Sequence, residues 1–297
     1  NRVLNILNQD FQTRITTEHI EVNYFGDVII TGLTIKDHKN FDFLKAQQLR
    51  ADSDWLMMIS NSRDLTFSTL SLTGADVKVI TYKGEETDNF NRYIEKFDSG
   101  KKADPNRPPF KLSSRILIKD SKISIVNQNS DEAGKWLKAE NVNAYASSLN
   151  VVGPNVKLKL NRLGFTTERW GKKHLLETLS GDIEVTKEKL SLKDLTFNTN
   201  HSLLQGDLTF FTDKETRWKD FNNKVKWDMN LKRGSLLSGY DISYFVTQWD
   251  NHEAMDISGK MQGVLNDFTL KNFLLKAKDY EFQTGEIRLA KLMDGNF

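Results

Sequence analysis

The sequence contains no cysteine and only four prolines among its 297 residues. Without cysteine, the chain has no disulfide bond, no thiolate nucleophile and no zinc site built from thiolates. Three of the four prolines lie between Ser99 and Pro109. Because proline removes a backbone hydrogen-bond donor, this segment cannot be a central strand. We interpret residues 99–109 as a linker loop between an N-terminal unit, residues 1–98, and a second region, residues 110–297.

The chain also lacks an excess of charge of either sign. The chain has 42 basic and 40 acidic side chains, which gives a net charge of +2. Nucleic-acid-binding proteins carry a basic patch or stripe, and no segment of this chain is basic over a whole face. We therefore predict no nucleic-acid partner.

Long apolar runs are missing as well. No run approaches the ~18 residues of a transmembrane helix, and no signal peptide is present. The first residue is Asn1 and the last, Phe297, falls within a repeat described below. We interpret the sequence as an internal piece of a longer chain, so the missing apolar run does not mean that the whole protein lacks a membrane anchor.

Motifs for catalysis and metal binding are scarce. No two of the five histidines are spaced three or four residues apart, so no helical histidine pair for a metal exists. We interpret the densest acidic group, Asp250–Glu253, as a solvated turn. The sequence has no Gly-x-Ser-x-Gly and no glycine-rich phosphate loop, although a Ser-His-Asp site stays open because its members need not be adjacent. We predict no catalytic residue, metal or cofactor, and no enzymatic activity.

Three tryptophans lie among lysine, arginine and glycine, namely Trp136, Trp170 and Trp218. Such residues are either interfacial aromatics near lipid headgroups or partly buried loop anchors. We favour the second interpretation, because tryptophan is usually buried over most of its surface.

What the sequence does have is one-sided apolar alternation. Apolar residues occupy alternate positions from Leu65 to Leu72, with a one-residue slip between Phe67 and Leu70, and alternate again from Val77 after a break at Gly74–Asp76. Period-two alternation predicts strands with one apolar face, and an extra residue predicts a β-bulge. Asp88–Phe97 has helical spacing, so we expect a short helix capped by Thr87 or Asp88.

The pattern apolar-x-apolar-x-x-apolar-x-apolar recurs. Copies are Val28–Ile35, Leu190–Phe197 and Phe268–Leu275, with a stretched copy at Ile116–Ile125. Repetition of one unit indicates a stacked repeat architecture. Other segments are predicted as a hairpin of Ile20–Tyr24 with Val28–Ile35, a strand at Phe43–Ala51, helices at Asp54–Ile59 and Asp241–Trp249, and consecutive strands from Phe110 to Phe211.

The predicted fold is mainly β: an elongated, repeat-built, curved antiparallel or mixed sheet with a few short helices. We expect its apolar face to remain partly open as a groove, because there are too few helices to cover it, and an exposed apolar surface marks a binding site. The alternative is a closed β-sandwich binding module, in which two apolar faces cover each other. The predicted groove residues are Val28, Ile30, Leu33, Ile35, Leu65, Phe67, Leu70, Leu72, Val77, Val79, Ile116, Ile118, Ile123, Ile125, Leu190, Leu192, Leu195, Phe197, Phe268, Leu270 and Phe273.

The chain resembles the AsmA-like superfamily, and within it the inner, N-terminal part of the TamB (translocation and assembly module) family. The resemblance is carried by Thr17–Val28 with Leu33–Ile35, by Trp55–Ile59 leading into Leu65–Phe67, and by Thr81–Glu85. Further along, Ser258–Leu265 and Phe268–Leu270 resemble the repeating unit of that family.

The resemblance implies a periplasmic protein held at the inner membrane by an upstream helix, with a taco-shaped β-groove of the bridge-like lipid-transfer type. It implies phospholipids and an outer-membrane insertase-type barrel (TamA-like) as partners. Its implied function is phospholipid transport between the inner and outer membranes, which contributes to outer-membrane biogenesis. The alternative role is assembly or secretion of outer-membrane proteins, in which the sheet edge would bind a client strand by β-augmentation.

Overall fold

The chain folds into one open, mainly β, fifteen-stranded mixed sheet with a few short helices, as described by a computed structural model. The structure describes residue 8 and residues 13–24, 26–52, 64–96, 109–130, 137–212, 221–245 and 252–291. The strands are β1 Arg14–Thr16, β2 His19–Val22, β3 Val28–Lys36, β4 Asp42–Asp52, β5 Asp64–Thr81, β6 Lys111–Asn127, β7 Leu137–Val152, β8 Asn155–Arg169, β9 Lys172–Val185, β10 Lys189–Thr199, β11 Leu203–Phe211, β12 Lys226–Ser238, β13 Ala254–Val264, β14 Asp267–Lys276 and β15 Glu281–Ala290.

Strand order follows the sequence from β3 to β15, while β1 and β2 both pair with β3. The β2–β3 hairpin and the strand at Phe43–Ala51 are therefore confirmed, as is the run of strands from Phe110 to Phe211. Strands β5 and β6 pair in parallel. Parallel neighbours need a crossover connection of a dozen or more residues, and residues 82–110 provide it. The predicted linker belongs to this connection, and all of it except Pro109 lies outside the described residues.

The three described helices are short: α1 Asn89–Glu95, α2 Phe221–Lys224 and α3 Gly239–Ile242. Helix α1 confirms the predicted helix, and Asp88 is its cap, since Oδ1 accepts from the amide of Asn91 at 2.8 Å. The prediction for α3 was wrong at its start and in its length: the helix begins at Gly239 with Ser238 as cap and ends at Ile242, and residues 243–245 form a turn. Residues 246–251 and the predicted helix Asp54–Ile59 lie outside the described part. None of the described helices is long and apolar enough to cross a membrane.

The chain divides into two compact units. Unit 1 comprises residues 1–158 and 162–173, and unit 2 comprises residues 159–161 and 174–297. The predicted boundary at residues 99–109 falls within unit 1, where β5 and β6 pair on either side of it.

The predicted break at Gly74–Asp76 was wrong, because β5 runs without interruption from Asp64 to Thr81. Gly74 has a φ of 61° inside the strand. This left-handed conformation suits glycine, which has no Cβ. The residue therefore shifts the alternation by one position while the strand continues.

The predicted slip in β5 is confirmed as a register shift between Thr66 and Thr69. A second shift of the alternation is shared by neighbouring strands of unit 1. In β3 to β6 it lies at one line of residues, here called the slip line: Gly32, Gln47, Gly74 and Asp120. In β7 the shift lies one row further along, at Asn141. Four of these five residues have positive φ, Gln47 being the exception. Since neighbouring strands shift together, their apolar residues stay on the same face of the sheet.

Candidate functional site: an apolar sheet face

The apolar face of unit 1 consists of four rows that cross β3, β4, β5, β6 and β7. In β3 to β6, two rows lie on each side of the slip line. The register places their members side by side. The rows are Val28, Ala51, Leu70, Ile116, Ala146; then Ile30, Leu49, Leu72, Ile118, Ala144; then Leu33, Ala46, Ala75, Ser121, Val142; and finally Ile35, Leu44, Val77, Ile123, Ala139.

The third row, next to the slip line, is the most deeply buried. All five members are buried, and four of them, Ala46, Ala75, Ser121 and Val142, are small or medium-sized. The Oγ of Ser121 accepts a hydrogen bond from the amide of Ala75 at 3.1 Å, and it donates to the carbonyl of Lys119 at 2.9 Å. The one hydroxyl among these rows is thus satisfied within the sheet.

The second row is half-buried along its whole length, at Ile30, Leu49, Leu72, Ile118 and Ala144. In the part of the chain that the structure describes, the clusters around these rows consist of residues from β1, β3, β4, β5, β6 and the residue before β6. The rows therefore pack sideways against each other, which leaves part of each second-row side chain accessible.

Helix α1 packs on the opposite face. Its Phe90 and Tyr93 rings lie 6.1 and 5.4 Å from the ring of Phe43. Phe43 precedes Leu44 in β4, so its side chain points away from the apolar rows. The helix consequently does not cover the predicted groove face.

Unit 2 has an apolar face of its own. Its buried centre is Leu231, Ile257, Leu270 and Phe273, and the surrounding half-buried residues come from β11 to β15. Phe197 in β10 pairs with Leu204 of this cluster. The alternation of β10 shifts at Asp194, where the register with β11 slips between Leu192 and Leu195.

In unit 2 the shifts of the alternation lie where the backbones of two neighbouring strands come into close contact. A Cβ on Gly259 would lie 2.6 Å from the carbonyl oxygen of Asn272, and one on Gly206 would lie 2.0 Å from that of Asn230. Gly259 has a φ of 117° and Asn272 a φ of 45°. Only glycine permits so close an approach of two strands.

Twelve of the 21 predicted groove residues belong to the three apolar clusters. They are Val28, Ile30, Leu33, Ile35, Leu65, Phe67, Leu70, Leu72, Val77, Phe268, Leu270 and Phe273. The other nine are half-buried in β5, β6 and β10: Val79, Ile116, Ile118, Ile123, Ile125, Leu190, Leu192, Leu195 and Phe197.

Sequence reasoning missed the copies of the repeat in β4 and β5, which are Leu44–Ala51 and Leu70–Val77. It also missed the inward residues of β7, namely Ala139, Val142, Ala144 and Ala146, whose three-residue step lies between Ala139 and Val142. Alanine stands at several of these positions, and it carries little apolar signal. The copy described as stretched is regular, with Ser121 at one inward position. Strict counting of positions from the slip residue would have found the copies in β4, β5 and β6.

A buried polar cluster lies where β3 and β5 end in unit 1. Asp37 is buried, and its carboxylate accepts hydrogen bonds from the Tyr82 hydroxyl at 2.5 Å, from Asn89 Nδ2 at 3.1 Å and from the amides of Lys39 and Phe41 at 2.9 and 3.0 Å. Burial by itself raises the pKa of Asp37, but these hydrogen bonds outweigh it and lower the pKa. Burial, together with Asp37, raises the pKa of Tyr82, so its phenol stays protonated. The cluster joins a strand end, a turn and helix α1.

A second polar cluster closes strand ends in unit 2. Asp241 accepts hydrogen bonds from the hydroxyls of Thr199 and Ser202 at 2.6 and 2.5 Å, and His174 Nδ1 lies 3.5 Å from its other oxygen. Serine, aspartate and histidine therefore meet, but the aspartate lies between the other two. In a hydrolytic triad histidine contacts the serine and accepts its proton. Here Ser202 donates directly to a carboxylate, which does not correspond to that arrangement.

Within the described part of the chain, no three His, Asp or Glu side chains come together as a metal site would require. His252, the histidine of the predicted solvated turn, packs 5.5 Å from the ring of Tyr240. Asp250 and Asn251 lie outside the described residues.

No match to this chain was found among protein-family models, curated proteins or solved structures. The resemblance to the AsmA-like superfamily therefore stays a prediction.

Proposed function

We propose that the chain is a periplasmic groove protein of the TamB type, which shields acyl chains during phospholipid transport between the inner and outer membranes. An upstream helix would hold it at the inner membrane, and an insertase-type barrel would receive it at the outer membrane. The observation that supports this proposal is the apolar face of unit 1, where four rows cross five strands and one row is half-buried throughout.

The physical reason for such a face is the cost of moving lipid through water. A phospholipid has two chains of about 15 methylenes, and exposing each methylene costs ~0.8 kcal/mol, so the total is about 24 kcal/mol. That barrier corresponds to a rate on the order of 10⁻⁵ per second. A face of half-buried aliphatic side chains removes most of this cost, because the acyl chains exchange water for apolar contacts.

The matching dimensions favour acyl chains over a compact ligand. Neighbouring strands lie about 4.8 Å apart, so five strands give rows roughly 20 Å long. An extended chain of 15 methylenes has about the same length, since each methylene adds roughly 1.3 Å. The rows also contain no charged side chain, and their one hydroxyl is already bonded within the sheet.

The test is a pair of photo-crosslinking positions on one strand. A crosslinking amino acid at Leu72 would lie in the half-buried row, while one at Ser71 would point to the opposite face. We expect phospholipid adducts at position 72 and none at position 71 in living cells. Equal labelling of both positions, or no lipid at either, would contradict the proposal.

A charge placed in the row provides an independent check. Leu70→Glu should abolish lipid adducts at position 72, because a carboxylate repels acyl chains, whereas Ser71→Glu should leave them unchanged. Circular dichroism of both variants would verify that each remains folded.

A second candidate, client assembly by β-augmentation, is favoured by a different observation. Strand β15 pairs with β14 on one side and is the last strand in the sheet order. An extended peptide could pair with its other side. If this is the function, Arg288→Pro should abolish client crosslinking while Leu70→Glu should not.

A further inference from the structure

The turn between β8 and β9 in unit 1 has an unusual residue at its tip. Strand β8 ends at Arg169 and β9 begins at Lys172, so Trp170 and Gly171 form a two-residue turn. Their φ values are 55° and 73°. Such turns require positive φ at both positions and strongly prefer Asn-Gly. A tryptophan at the first position is strained, and strained residues are concentrated at functional sites.

The indole of Trp170 lies partly in solvent, since it is 45% exposed. The guanidinium of Arg169 lies 5.1 Å from the ring centre, in cation–π contact. This exposure agrees with a partly buried loop residue, and it leaves part of the indole accessible at the surface.

The surroundings of the indole are basic. Arg169, Lys172 and Lys173 adjoin Trp170 and Gly171, while Glu168 is the nearest acidic residue in sequence. Lys173 is exposed. The tip thus combines an exposed indole with three cations on a narrow, convex hairpin, whereas the chain as a whole is close to neutral.

We propose that this hairpin tip, Arg169–Lys173, docks on the headgroup region of an anionic phospholipid membrane. Tryptophan is enriched at membrane–water interfaces, where the indole lies among the headgroups. Lysine and arginine are attracted to the negative surface potential of anionic lipids. A nucleic acid fits less well, because its recognition uses a basic stripe or several stacking aromatics. The proposal goes beyond lipid transport, since docking requires no acyl chain in the groove.

The test is co-sedimentation of the full chain with vesicles of phosphatidylcholine alone and of phosphatidylcholine with phosphatidylglycerol. We expect binding to the anionic vesicles only, and its loss at high salt. Each basic residue near such a surface contributes about five-fold to binding, so Lys172→Gln with Lys173→Gln should weaken it about 25-fold. The matched control is Lys157→Gln with Lys159→Gln, which removes the same charge from exposed positions within β8 and should have little effect.

The indole is tested by Trp170→Asn, because asparagine adopts positive φ readily and should preserve the turn. We expect an unchanged melting temperature and about ten-fold weaker vesicle binding, from the lost burial of indole surface. The proposal would be overturned by equal weakening in the Lys157 and Lys159 control, by full binding of Trp170→Asn, or by no binding of the unaltered chain. Binding of a single-stranded oligonucleotide in place of vesicles would also overturn it. Lipid adducts at position 72 test the groove independently. Failure of membrane docking can therefore be told apart from failure of the proposed lipid transport.

Discussion

The two units keep their apolar residues on one face in different ways. In unit 1 the space beside the slip-line glycines Gly32 and Gly74 is filled by the side chains of Glu18 and Gln47. In unit 2 the space beside Gly206 and Gly259 is filled by backbone atoms of the neighbouring strand. A side chain can rotate away, but a strand cannot move without breaking its ladder. The register shift of the repeat is thus stabilised by movable side-chain contacts in unit 1 and by fixed backbone contacts in unit 2.

Each unit also ties its strand ends together with an aspartate, but the two sets of donors differ. Asp37 receives two backbone amides, a phenol and a side-chain amide. Asp241 receives two hydroxyls, with His174 more distant. Hydroxyls can turn towards other acceptors, whereas backbone amides are fixed, so the loss of Asp37 should be harder to compensate.

The largest expected effect is therefore that of Asp37→Ala. It removes the acceptor of the buried Tyr82 hydroxyl and one of the two acceptors of Asn89 Nδ2, the other being the carbonyl of Lys78. Each unsatisfied buried group costs about 1–3 kcal/mol. We expect a loss of about 3 kcal/mol or more in the free energy of unfolding, against about 2 kcal/mol for Asp241→Ala. Hydrogen exchange read by mass spectrometry can assign each loss to its unit. Equal losses of unfolding free energy in the two variants would contradict the claim that Asp37 is harder to replace than Asp241.

The next largest effect is expected at the glycines where the alternation shifts. Gly259→Ala brings a Cβ against Asn272 at a φ of 117°, so we expect a loss of about 2–4 kcal/mol. Gly285→Ala is the matched control in the adjoining repeat, because nothing lies within 4 Å of its added Cβ. That change should be neutral or slightly stabilising.

Gly74→Ala completes this comparison in unit 1. We expect an intermediate cost of about 1–2 kcal/mol, since the φ of 61° is unfavourable for alanine but the Gln47 side chain can move. Urea unfolding of the three alanine variants gives the order directly. A larger loss for Gly74→Ala than for Gly259→Ala would contradict the difference between side-chain and backbone contacts.

Acid should weaken unit 1 through Asp37. Its pKa is lowered in the folded state below the value of 3.8, so the stabilisation is present above pH 3.8 and is lost as the pH falls through the folded value. We expect the unfolding free energy to drop as the pH falls below 3.8, with a flatter profile in Asp37→Asn.

Alkali should weaken unit 1 as well. Burial raises the pKa of Tyr93 from 10.0 to about 12. Because the raised group is protonated in the folded state, its contribution is present below pH 10 and is lost as the pH rises towards 12. Tyr93→Phe should lessen this loss in unfolding experiments at pH 9 and pH 11. An identical pH dependence in the variant would show that Tyr93 is not the cause.

The smallest effect is expected at the edge of unit 2. Arg288 donates two hydrogen bonds to Asp267, which lowers the pKa of that carboxyl, yet both side chains are exposed. Exposed ion pairs contribute little to stability. Asp267→Asn should leave the melting temperature unchanged within error, and a clear decrease would mean that β15 is held by this pair.

Much of the fold could be predicted from local sequence patterns. Alternation predicted the β2–β3 hairpin, and the slip predicted the register shifts at Thr66–Thr69 and Leu192–Leu195. The pattern also identified one apolar face, although alanine and Ser121 hid several of its members. Gly74 was misread as the end of a strand, because from sequence alone a glycine that shifts a strand cannot be told from one that ends it.

The polar clusters could not be predicted, for a physical reason. Tyr82 and Asn89 lie 45 and 52 residues from Asp37, and Asp241 lies 39 residues from Ser202. Such contacts depend on which strand ends meet, and in unit 1 the antiparallel pairing of β3 with β4 and of β4 with β5 brings the ends of β3 and β5 to the same edge. Pairing between strands leaves no local periodicity in the sequence.

The most direct test of the central claim is mass spectrometry of lipids that co-purify with the native protein. The account predicts bound phospholipid in the unaltered chain and in Ser71→Glu, and its loss in Leu70→Glu. A folded protein that carries no phospholipid, or a Leu70→Glu variant that retains it in full, would contradict the claim that the apolar face holds acyl chains.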